Sequence, residues 1–178
     1  MLFVLIMVYL LLVLIRPQEY PQWPLAGVPL LPLALVLGLG VWLLSRNKRF
    51  DAPQYLLLLA FLAVTCLSVL LTGWSGGALQ QFSEFAAIVV SFFLLANALD
   101  SRERVVAAMA VFTLSASVLA LHGAGQAATG VGWTGAELVG DGRIQYLGIF
   151  SDPNDLGMLF VLCMPMAAYL GSRGGLMG

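Results

Sequence analysis

The chain has 178 residues and a net charge of −1, with 61% of its residues hydrophobic and only 10% charged. A soluble domain carries about 25% charged residues, so composition argues against a soluble globular fold. The near-neutral charge excludes a polybasic surface for nucleic acid. Most of the length falls into apolar runs separated by short polar gaps. That is the pattern of an all-α integral membrane protein, because a helix needs about 20 apolar residues to cross the hydrocarbon core and satisfies its own backbone there.

In chain order, hydropathy predicts about six transmembrane helices, at roughly 2–16, 25–45, 55–72, 78–99, 105–122 and 153–170, in a single membrane domain. The first has no basic start and no small-residue cleavage site, which sets it apart from a signal peptide. The segment Arg16-Pro-Gln-Glu-Tyr-Pro-Gln-Trp-Pro24 ends it, and Tyr20 and Trp23 suit an aromatic belt. Pro29 and Pro32 suggest a bend near the start of the second helix, and 46–51 is a basic gap. Gly73–Gly77 is a tight turn, and 100–104 is the next connector. A longer outer loop of about thirty residues separates helices five and six. Its many glycines, from Gly123 to Gly142, match no nucleotide fingerprint and predict a flexible segment.

Lys and Arg set the orientation. With the N-terminus inside, Arg46, Lys48, Arg49, Arg102, Arg104 and Arg173 lie on inner connections and only Arg16 and Arg143 on outer ones. Six against two follows the positive-inside rule and predicts N-in/C-in. Cys66 and Cys163 lie in apolar runs with no Cys or His at ligand spacing, so neither a disulfide nor a metal site is expected.

Four places outside plain hydropathy are candidate sites. Asp152-Pro-Asn-Asp155 reads as a helix start, with Asp152 as N-cap, Pro153 at the first position and Asp155 in the first turn. Such a helix start can also meet an anion if Arg143 offsets its aspartates. Glu84, below Gln80 and Gln81 and above Ser91, is either a functional intramembrane carboxylate or an interfacial residue paired with Arg16 or Arg143. His122 is expected to close helix five as an interface or capping residue. Trp133 and Tyr146 are either stacking surfaces for a sugar or outer anchors.

The run Arg143-Ile-Gln-Tyr-Leu-Gly-Ile-Phe-Ser-Asp-Pro-Asn-Asp155 resembles the Arg…Gly-x-Phe-x-x-Pro-Asn element of the O-antigen ligase/O-antigen polymerase family. His122-Gly-Ala-Gly-Gln126 is similar to the family's helix end with a glutamine, and Arg16-Pro-Gln-Glu-Tyr20 to the start of one bacterial subgroup. The resemblance implies a multi-pass bacterial inner (cytoplasmic) membrane glycosyltransferase, working at the periplasmic face without cofactor or metal. Its donor would be an undecaprenyl-diphosphate-linked glycan, and its acceptor a glycan, lipid A core or protein, in surface polysaccharide assembly. Arg143 then meets the diphosphate, with Asn154, Arg16 and Glu84 as further substrate-binding candidates. The family's histidine belongs to a large later loop, and His122 does not match its pattern, so the catalytic group is unassigned. These features imply the N-terminal part of a longer polytopic protein, inactive alone. A small six-helix transporter or channel subunit, or a non-catalytic membrane scaffold, is the alternative from another class.

Overall fold

The computed structural model describes residues 1–20, 23–24, 26–46, 48–50 and 52–173. The expected helix start at Leu25, Pro21 and Gln22 of the proline-rich turn, Asn47 and Asp51 of the basic gap, and the closing residues 174–178 lie outside them. Among the described residues there are six α-helices and no strand: α1 (Leu2–Ile15), α2 (Leu30–Leu44), α3 (Pro53–Leu71), α4 (Ser75–Ala98), α5 (Arg102–Thr129) and α6 (Pro153–Arg173). Single 3-10 turns occupy Pro17–Glu19 and Gly148–Phe150. The four helices α3 to α6 are long and apolar enough to cross a membrane, while α1 and α2 are apolar but shorter.

Where helix ends differ from expectation, local chemistry explains it. α2 begins at Leu30, later than hydropathy implies, and Pro32 sits in its first turn, where the missing N–H breaks no intrahelical bond. α4 begins earlier, at Ser75, because Trp74 folds over Gly77, where any side chain would overlap the indole. α5 continues past His122 to Thr129. Its buried positions Ser115, Ala116, Leu119, His122, Gly123 and Gln126 keep one face inward, and this packing carries the helix through residues of poor intrinsic propensity. The connection to α6 is correspondingly shorter than expected.

The chain divides into two compact units, Met1–Ile6 with Leu33–Asp100 and Met7–Pro32 with Ser101–Gly178. In the first, α3 and α4 form an antiparallel hairpin whose register is set by aromatic pairs. Tyr55 stacks on Phe93 at 4.5 Å and Phe61 meets Phe85 at 5.4 Å. Asn97 locks its end, accepting from the Arg49 amide at 2.9 Å. In the second unit, α5 packs on α6 around Leu14, Leu119, Tyr146, Phe150, Leu156 and Leu159. Both cysteines are free thiols.

Candidate functional site

The second unit buries a polar cluster beneath the connection from α5 to α6, and it starts on one helix face. His122 and Gln126 are four residues apart on α5, so they point the same way, and both are almost fully buried. The Gln126 amide donates to the carbonyls of Ala136 at 2.9 Å and Glu137 at 3.2 Å, and its oxygen accepts from the Gln145 amide at 2.9 Å. One side chain thus ties down both arms of the connection. Gln145 repeats the motif, donating to the Glu137 carbonyl at 2.8 Å.

His122 lies between two rings, Trp133 at 4.8 Å and Tyr146 at 4.9 Å, both edge-on. Its Nε2 meets Thr134 Oγ1 at 3.2 Å, and the backbone at Gly132 passes so close that a Cβ there would strike the imidazole. This corrects the expectation that His122 closes α5 at the interface. It sits inside the helix, and its role is to seat the connection. Tyr146 is also no sugar platform and no anchor, because it is 1% exposed. Its hydroxyl donates to the Ile15 carbonyl at 2.6 Å and is paired with the Tyr20 hydroxyl. Burial, then the bond with Tyr20, holds the phenol well above its ordinary pKa. Trp133 keeps a half-exposed indole with its edge on His122.

The glycines do not leave this connection loose, as composition suggested. Val139 and Arg143 exchange backbone hydrogen bonds at 2.9 and 3.0 Å across a tight turn, in which Gly140 and Gly142 adopt φ of 53° and 80°. Glycine takes such angles without steric cost. Arg143 follows the turn, fixed in backbone and exposed in side chain. Among the described residues its guanidinium has no ion-pair or hydrogen-bond partner, although Asp141, Asp152 and Asp155 are near in sequence.

Arg16 is different. It is the one described non-glycine residue with positive φ, at 51°, and its Nη1 binds Glu19 at 2.5 Å. Its guanidinium lies against Gly148, where φ is 61° and a side chain would overlap the arginine. Arg16 is therefore largely committed to holding the chain after α1 on the Gly148–Phe150 turn. Asp152 caps α6 as expected, accepting from the Asn154 amide at 2.7 Å, and Asn154 itself is exposed on the first turn. Beside that turn runs an apolar cleft of about 370 Å³, lined by Leu10, Leu14, Phe150, Met158 and Leu162 with Asp155 at its polar edge. Arg16, Arg143 and Asn154 belong to this unit, and Glu84 belongs to the other, where it accepts from Gln80 at 2.9 Å.

Sequence reading missed Gln126 and Tyr146 as organisers. Gln126 was visible as a polar residue at i+4 from His122 on an otherwise small and apolar helix face. Tyr146 carried no signal, since its partners Ile15 and Tyr20 are more than a hundred positions away. What the arrangement offers chemically is an exposed cation on a braced turn and, in the same unit, an apolar cleft next to the start of α6. No curated protein and no solved structure matches the chain. A family profile covers residues 1–174, and the chain belongs to that family, a family of unknown function (DUF5935).

Proposed function

We propose that the chain is the membrane part of an O-antigen ligase/polymerase-like glycosyltransferase, engaging an undecaprenyl-diphosphate-linked glycan at the outer face of a bacterial inner membrane. The observation that carries this reading is the Arg143 guanidinium, exposed on a rigid turn and without an acidic partner among the described residues. A guanidinium binds phosphate oxygens through two parallel N–H donors, geometry that a lysine lacks. In this reading the cleft beside Gly148–Phe150 takes the first isoprene units of such a donor, and Arg143 and Asn154 meet the diphosphate. Arg16 contributes by fixing Gly148 more than by meeting the donor. Acceptor glycan, lipid A core or protein would approach from the same side.

The reading requires the orientation that the basic residues indicate, with six spans and both ends inside. In a background lacking Cys66 and Cys163, cysteines at Ser75 and Asp141 should be labelled by an impermeant maleimide from outside, and one at Ser172 should not. The reverse pattern would defeat the orientation.

Donor binding tests the site. With the protein in nanodiscs, Arg143→Ala should weaken binding of the diphosphate-linked glycan roughly tenfold or more. Arg143→Lys should recover part of the loss, and a prenyl-linked glycan lacking the diphosphate should bind all three equally. Unchanged donor affinity together with a lowered melting temperature would make Arg143 a structural residue and end the proposal.

A further inference from the structure

The α3–α4 hairpin carries a carboxylate at an unusual depth. Phe85, next to Glu84, meets Phe61 at 5.4 Å, and Phe61 is near the middle of α3, which runs from Pro53 to Leu71. At 1.5 Å per residue α3 is about 28 Å long, close to the hydrocarbon thickness of a bilayer. Its midpoint, and Glu84 with it, is therefore near the bilayer centre. Glu84 is nonetheless exposed on the helix surface, as are Gln80 and Ser83. Its hydrogen-bond donor is Gln80, one turn away on the same helix.

A carboxylate facing lipid at that depth costs several kcal/mol, and such residues are found turned toward other helices or polar cavities. Two basic residues of this unit are engaged elsewhere. Lys48 donates to the Leu43 carbonyl, and the Arg49 amide binds Asn97, thirteen positions beyond Glu84 and so about 20 Å along α4. Among the described residues no cation pairs with Glu84. A second copy of the chain would set one Glu84 against another at equal depth, a like-charge contact that the surface does not otherwise compensate.

We propose that the Gln80–Ser83–Glu84 face of α4 docks a transmembrane helix carrying an arginine or lysine at the matching depth. A buried pair to Glu84, with Gln80 as a further polar contact, sets both partner and register. This stands apart from the donor site in the other unit and does not require it.

The test uses the full chain reconstituted in vesicles and synthetic guest helices of about 20 leucines, bearing one central arginine, leucine or glutamate. Energy transfer between labelled chain and guest reports association. The arginine guest should bind roughly tenfold tighter than the leucine guest. Glu84→Gln, which preserves shape and hydrogen bonding, should erase that preference, and Glu84→Arg should transfer it to the glutamate guest. Helicity by circular dichroism checks each variant, and Gln80→Leu, which keeps the carboxylate, should retain most of the preference. Equal binding of arginine and leucine guests to the wild-type chain would overturn the proposal. So would a preference unchanged in Glu84→Gln, or self-association of the chain that Glu84→Gln abolishes.

Discussion

Two pairs of polar side chains, one on a helix of each unit, are used in opposite ways. In the second unit, His122 and Gln126 on α5 are buried and spent on the chain's own connection, and Tyr146 closes onto Ile15 and Tyr20. In the first, Gln80 and Glu84 on α4 are exposed, with little but each other to bond. A helix in lipid has no water to satisfy such groups, so each must be answered by protein. Where the chain answers them itself, the product is a rigid platform. Where it does not, the helix face is a recognition surface. The comparison predicts large stability effects in the second unit and small ones at Glu84.

The largest is expected at Gln126. Replacement by Leu removes its three hydrogen bonds and leaves the part-buried Gln145 amide without its acceptor, while the Ala136 and Glu137 carbonyls keep the Gly132 amide and the Gln145 side chain. The cost should be on the order of 3 kcal/mol. The melting temperature in detergent should fall sharply, and limited proteolysis should begin between residues 130 and 152.

Tyr146→Phe comes next, at about 1–3 kcal/mol, because it leaves the Ile15 carbonyl and the Tyr20 hydroxyl without their partner. It also has a pH signature. The folded phenol holds its proton above the ordinary value of 10.0, so above that pH the unfolded chain loses a proton that the folded one keeps. The stabilisation from Tyr146 is thus fully present below about pH 10 and lost progressively as pH rises beyond it. Chemical unfolding between pH 8 and 11 should show that decline in the wild type, and a shallower one in Tyr146→Phe.

Gly148→Ala should cost about 1–3 kcal/mol, since the added methyl group meets the Arg16 guanidinium in a backbone region that alanine disfavours. Arg16→Ala in the same chain should relieve the clash but leave the backbone strain. A double-mutant cycle on unfolding free energies measures that coupling.

The smallest effect belongs to Glu84→Gln, which should shift the stability of the isolated chain in detergent by less than about 0.5 kcal/mol. A loss comparable to that of Tyr146→Phe would show that Glu84 serves its own unit, and the contrast between the units would fail.

How much of this was readable in the residues depends on the range of the interaction. The long apolar helices were legible because hydropathy is local, and the start of α6 was legible because Asp152-Pro153 is a local cap. The far end of α5 was not. Gly123, Gly125 and Gln126 interrupt hydropathy, and the helix continues there because Gly123 admits Ile144 and Gln126 has distant carbonyls to bond. Loose behaviour expected from the glycines of the connection was wrong for the same reason, since positive φ closes turns whose other half is supplied by α5. Of the candidate residues, Arg143 and Asn154 were legible as polar residues of the connection and of the first turn of α6, and the structure leaves both exposed. Arg16 was legible as an exception to the charge bias but not as the neighbour of Gly148, a fact of folding alone.

Hydrogen–deuterium exchange across residues 130–152 tests most directly whether the connection is a fixed platform for Arg143. The amides of Val139, Arg143, Gln145, Tyr146 and Phe150 each donate within the protein. They should exchange far more slowly than the Gly140 and Asp141 amides at the turn, and Gln126→Leu should abolish protection at Gln145 first. Uniform exchange of the whole connection within the dead time of the wild-type experiment would contradict a braced turn, and the placement of Arg143 would fall with it.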